Sequence, residues 1–270
     1  MRVKGIFGLA ASMAVVAGLT AGCGGSGRHS VMHGDSHTVS TGSPAPMTMG
    51  PTASGQLSLP TDSPAGSIVW PAPMAHMGPG MVMATSACTA APNAAQRQAA
   101  VDLTNRTVAA VARYRSLAVA KADGYVPITP SGLRVVHYIK PAYVGDGDLL
   151  DPQRVQSLVY ANTSGGAVLV AAMYTMGIDQ VDAVPPMPGG CLTQWHRHTN
   201  LCFSQASGAV VGVTHRGACV PGSVHRVTQP MIHVWLAPVP GGPLVSDVPS
   251  DEAVRAAEQL AAPQSANPEA

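Results

Sequence analysis

The sequence is short of charge, of aromatics and of catalytic signatures, and each shortage removes a class of function. Charged residues make up 11% of the 270 and the net charge is +1. No basic surface is therefore available for nucleic acid, and there is no acidic tail. Aromatics are 4%, with Phe only twice, so a core must be assembled mainly from Val, Leu, Ala and Met. No G-x-S-x-G elbow, S-x-x-K, H-E-x-x-H or phosphate-binding loop occurs, which leaves no standard hydrolase, zincin or nucleotide-binding signature. Asp146, Asp148, Asp151, Asp179 and Asp182 all fall in turn-like sequence. Nothing in their spacing sets two of them across a cleft, as a glycosidase needs. Beyond the N-terminus no uninterrupted apolar run reaches the roughly eighteen residues of a membrane span.

The N-terminus is what such a chain has instead. Residues 1–22 start with Arg2 and Lys4, continue through an uncharged apolar run from Ile6 to Leu19 and end in small residues. That pattern predicts a signal peptide and export. Leu19-Thr20-Ala21-Gly22-Cys23 resembles the bacterial lipoprotein box, with Thr20 off its usual pattern. The box implies acylation of Cys23, palmitate included, and a lipid anchor on the outer face of the cell membrane. A plain signal peptide cleaved nearby is the alternative.

Residues 23–87 are Gly, Ser, Thr and Pro punctuated by soft ligands, a composition that cannot bury enough apolar surface to offset ordering. A disordered tether is the expectation. Seven Met and four His lie between residues 28 and 83, among them Met74, His76, Met77, Met81 and Met83. Thioether and imidazole together select copper(I) over hard cations. The segment resembles the Met/His-rich stretches of bacterial periplasmic copper-handling proteins; compositional drift of a linker is the bland alternative.

From residue 88 the pattern becomes that of a folded unit. Asn93 as N-cap and an apolar stripe from Val101 to Val119 predict a helix broken near Tyr114 to Ser116, with Gly124 as terminator. Leu133 to Ile139, Ser157 to Ala161, Ala167 to Met176, Ala209 to Thr214 and Met231 to Ala237 read as strands, the second and third joined by a turn at 162–166. The expected fold is α+β, an antiparallel β-sheet with an N-terminal helix packed on one face, spanning 88–246. Residues 247–270 are expected to form a short helix and a disordered tail.

Chemistry concentrates in Trp195-His196-Arg-His198-Thr-Asn200-Leu-Cys202-Phe203. Side chains at i and i+2 of a strand share a face, so His196 and His198 can grip one ion. His137 and His233 sit on other predicted strands beside aromatics. Four neutral imidazoles from different strands make a candidate copper or zinc site, with the Asn200 amide placed to orient one of them. The competing account is that each is a hydrogen-bonded core histidine. His215 and His225 fall in turn-rich sequence and are expected at the surface. With Cys23 lipidated, Cys88, Cys191, Cys202 and Cys219 remain, an even number for an oxidising compartment. The expected disulfides are Cys202–Cys219 and Cys88–Cys191.

Five segments carry a resemblance: Ala120-Lys-Ala-Asp-Gly124-Tyr125, Val136-His137-Tyr138-Ile-Lys-Pro141, Leu150-Asp151-Pro152 with Leu158-Val-Tyr160, the WHxHxNLCF run at 195–203 and the MxHVWL run at 231–236. Together they resemble a family of secreted and lipoprotein actinobacterial proteins without an assigned activity. The resemblance covers about Tyr114 to Pro243 and implies one domain. Three functions fit these readings: a copper-binding envelope lipoprotein, a small metalloenzyme with a mononuclear His-ligated site, and a metal-free ligand-binding module.

Overall fold

The structure, a computed structural model, describes residues 55–57, 67–70, 78–85 and 90–262. Three short strands come first, β1 (Gly55–Leu57), β2 (Ile68–Trp70) and β3 (Met81–Met83). Helix α1 (Ala94–Val111) follows, and its start is fixed by a capping box. Asn93 Oδ1 accepts from Gln96 N, and the Gln96 side chain accepts from Asn93 N, both at 2.9 Å; two otherwise orphaned amides are satisfied. The predicted break is a 3-10 turn at Ala112–Arg115, after which α2 (Leu117–Ala122) ends at Gly124 with φ +94°.

The remaining strands are β4 (Val126–Pro127), β5 (Val135–Ile139), β6 (Ser157–Thr163), β7 (Gly166–Thr175), β8 (His196–His198), β9 (Leu201–Ser204), β10 (Val210–Val213), β11 (Ser223–Arg226) and β12 (Met231–Trp235). Helix α3 (Ser250–Ala261) closes the described chain. Seven strands make one curled antiparallel sheet in the order β3-β8-β12-β7-β6-β5-β4. A separate sheet, β10-β9-β11, carries the Cys202–Cys219 disulfide. Cys191 is also disulfide-bonded; Cys88, its expected partner, lies outside the described residues, as does Cys23.

Strand alternation sorts the large sheet into two faces. One presents Val136, Tyr138, Leu158, Tyr160, Leu169, Ala172, Tyr174, Ile232 and Val234, packed with Ala100, Leu103, Val111 and Tyr114 from the α1 side. The other presents Val159, Ala161, Ala171, Met173, Met231 and Trp235, packed with Ala253, Val254, Ala256 and Ala257 of α3. No helix among the described residues is long and apolar enough to cross a membrane.

Two expected boundaries move. The fold reaches back into the expected tether, because Met81, Val82 and Met83 pair with His198, Arg197 and His196 as an edge of the main sheet. It also reaches past residue 246, because α3 buries its alanine stripe on the sheet. A three-residue strand between Gly-Pro-Gly and Ala-Thr-Ser has too little pattern of its own to be seen locally, and only its long-range pairing defines it.

Candidate functional site

β3 is clamped to β8 by more than its ladder. Ala84 N donates to Trp195 O at 2.9 Å, and Gly80 O accepts from Thr199 N at 2.6 Å and from Thr199 Oγ1 at 3.0 Å. Asn200 Nδ2 donates to Pro79 O at 2.8 Å. Gly80 sits at φ +79°, and a Cβ there would lie 2.0 Å from the Asn200 side chain, so both the backbone angle and the close approach require glycine. This corrects the expected role of Asn200: its amide nitrogen holds the turn before β3, its Oδ1 is buried without a partner, and no hydrogen bond joins it to an imidazole among the described residues.

The four histidines of the candidate site come together on the α3 side of the sheet. His196 and His233 rings stack at 5.1 Å between centroids and 15° between planes. His196 and His198 lie 5.5 Å apart, and His137 and His233 5.9 Å apart, each edge to face. His196 is fully buried and His233 nearly so, while His137 and His198 are half-buried. His215 and His225 are exposed, the latter bonded through Nε2 to Thr199 O.

A cover lies over this face. His233 Nδ1 donates to Ser246 O at 2.6 Å, Trp235 Nε1 donates to Val245 O at 3.1 Å, and Ser246 N donates to Gln194 Oε1 at 3.2 Å. Because a carbonyl only accepts, Nδ1 of His233 carries the proton and Nε2 keeps its lone pair, the tautomer a metal ligand needs. His196 is different: neither ring nitrogen makes a hydrogen bond, though both are buried. Ser157 Oγ and Ser246 Oγ are buried and unpartnered as well. Ser157 pairs across the ladder with Met173, which in turn pairs with His233, so its hydroxyl shares the histidine face.

Electrostatics keep these rings neutral. Desolvation first, then the charges of His233 and His198, draw His137 down to about 3. Desolvation draws His233 down to about 4, partly opposed by the Ser246 carbonyl. Desolvation followed by the neighbouring histidines takes His196 well below its usual value, opposed in part by the Gln194 backbone. His198 falls through desolvation while the Asp247 carboxylate pulls it back up. Asp247 itself is raised to about 6, by desolvation above all. The sequence marks Asp247 only as the start of the last stretch, and nothing in it ties Asp247 to His198 forty-nine residues earlier.

Methionines flank the cluster. In the ladders Met83 and Met231 each stand directly opposite His196, on its two sides, while Met81 stands opposite His198 and Met173 opposite His233. Directly opposed residues project to the same face. Met74, His76 and Met77 lie outside the described residues. Among the described residues, no group of three or more His, Cys, Asp or Glu side chains is set to hold a metal ion. No family model, curated protein or solved structure matches the chain.

Proposed function

We propose that this chain is an exported envelope lipoprotein, anchored through Cys23, that binds copper through the buried histidine face of its domain and through its Met/His-rich N-terminal segment. The observation that carries the reading is His196, whose two ring nitrogens are buried, neutral and without a partner beside three further neutral imidazoles. Leaving such a group unsatisfied costs about 1–3 kcal/mol, and a soft cation is the ligand that neutral imidazoles and thioethers share. The motifs at 195–203 and 231–236, which support placement with the secreted actinobacterial family, supply three of the four histidines.

Metal analysis of untagged protein tests this. Copper is expected to co-purify and to remain in part when Met32, Met47, Met49, Met74 and Met77 are replaced by Leu and His29, His33, His37 and His76 by Ala, changes that leave β1, β2 and β3 in place. The same preparation carrying His196→Ala and His198→Ala is expected to lose the domain's share. No bound copper or zinc in the wild-type protein would end the reading.

A second reading is favoured by the lack of a three-ligand His, Cys, Asp or Glu group among the described residues together with the unpartnered Ser157 and Ser246 hydroxyls. It is a metal-free module whose histidine face hydrogen-bonds a small polar ligand. Metal-free protein that retains a co-purified organic molecule, detected by native mass spectrometry, would favour it.

A further inference from the structure

The N-terminal methionines and the domain histidines are separate features of the sequence, but the ladder makes them neighbours. Met83, His196 and Met231 stand in one row across β3, β8 and β12. Strands lie about 4.8 Å apart, so the two methionines are roughly 10 Å apart with His196 midway. Three rotatable bonds let each thioether swing in over the imidazole. One row along, Met81 faces His198.

Burial grades the methionines of this cluster. Met231 is 8% and Met81 7% exposed, while Met83 is 37% exposed, so the opening to solvent lies at Met83. His196 between them is completely buried, with both nitrogens unpartnered. Such a site needs no cluster of three His, Cys, Asp or Glu, because its other ligands are sulfur atoms of methionine.

Resting on the copper reading above, we propose that Met83, His196 and Met231 form one mixed thioether–imidazole site selective for copper(I), entered at the exposed Met83, with Met81 and His198 as the adjoining pair. Two neutral thioethers and a neutral imidazole stabilise the soft monovalent ion and offer little to zinc or copper(II). The clamp of Thr199 and Asn200 on Pro79 and Gly80 then has a purpose, since it fixes the register that brings Met83 to His196. The N-terminal segment and the domain are thus two halves of one site.

The test is an anaerobic titration of the full-length, metal-free chain with copper(I), supplied as its acetonitrile complex, against a chromophoric competitor. The variants are Met83→Leu/Met231→Leu, His196→Ala/His198→Ala and the four substitutions combined. Leu for Met conserves volume, so the first variant keeps its fold; circular dichroism checks this for all three. Outer-shell partners alone are worth roughly 10- to 100-fold in metal affinity, and losing ligands is expected to weaken one copper equivalent by at least that much. Each double variant should lose that same equivalent, and the combination no more than one. If the combined variant loses two equivalents, or if the methionine variant binds copper(I) as the wild type does, the shared site is wrong while the copper reading stands. If the wild-type chain binds no copper(I), both fall.

Discussion

The two faces of the large sheet are built from the same strands and differ in how they treat polar atoms. On the α1 side the large polar side chains are buried and satisfied. Tyr125 Oη donates to Val155 O at 2.8 Å, Tyr160 Oη donates to Tyr114 O at 2.6 Å, Tyr174 Oη meets Thr107 Oγ1 at 2.8 Å, and Trp195 Nε1 donates to Pro186 O at 2.8 Å. On the α3 side His196, Ser157 and Ser246 hold buried polar atoms with no partner. A satisfied network rigidifies a core, while an unsatisfied one destabilises the fold unless something binds. The first face is therefore an assembly for stability. The second gives up stability by leaving polar atoms unsatisfied, among them the His196 nitrogens that the proposed copper site would use.

The largest effect expected from this difference is in the response to pH. His137 at about 3 and His233 at about 4 lie below the unfolded value near 6.5, and His196 and His198 are lowered too. Between those values the unfolded chain binds more protons, so stability falls as pH drops from 6.5 towards the folded values. The slope is up to about 1.4 kcal/mol per pH unit for each histidine. Asp247, raised to about 6, works the other way, favouring the fold as pH falls through 6 towards 3.8, but it is one group against four. Burial raises the hydroxyls of Tyr125, Tyr160 and Tyr174, so these groups of the α1 face withdraw stability in alkali, as pH rises past 10. Urea denaturation of metal-free protein from pH 4 to 8 should show the acid limb. A flat profile over that range would mean the rings are not held neutral.

How much of this division was legible beforehand depends on the distance over which each contact acts. Asn93, the break at Tyr114 to Ser116 and the turn at 162–166 are local events, and a few consecutive residues specify each of them. His196 and His198 were legible as a same-face pair because strand alternation is also local. The closeness of His233 to the pair was a guess from residue type, decided by β12 lying beside β8. The role of Met81 and Met83 was hidden because their strand exists only through pairing with residues more than a hundred positions away. Asp247 and the cover at Ser246 were hidden for the same reason: Gln194, just before β8, and His233, on β12, hold that segment with side chains distant in sequence. Helix α3 was expected, but its face on the sheet was not, since an alanine stripe signals close packing without naming the surface it packs on.

The next effect separates the faces by truncation. Leu158 is completely buried on the α1 side, and Leu158→Ala is expected to destabilise by roughly 2–5 kcal/mol through lost transfer energy and a residual cavity. It should leave copper stoichiometry unchanged, because Leu158 points away from the histidines. Chemical denaturation gives the first quantity and metal analysis of the folded variant the second. A folded Leu158→Ala protein without copper would mean that the faces are not independent.

The smallest effect has the opposite sign. His196→Leu replaces a buried, unpartnered imidazole by an apolar side chain of comparable bulk. Little is orphaned by the change, because neither ring nitrogen has a hydrogen bond of ordinary geometry and only the Gln194 backbone lies near the ring. The stacking on His233 is lost, but two desolvated nitrogens are removed from the folded state, and relieving unsatisfied polar atoms outweighs one ring contact. Metal-free His196→Leu protein should therefore be more stable than the wild type, by on the order of 1 kcal/mol, and its acid limb should be shallower. Adding copper(I) should reverse the order: the wild type gains stability in proportion to its occupancy, and the variant gains little. A lower denaturation midpoint for the metal-free variant would show that His196 is a structural residue of its face.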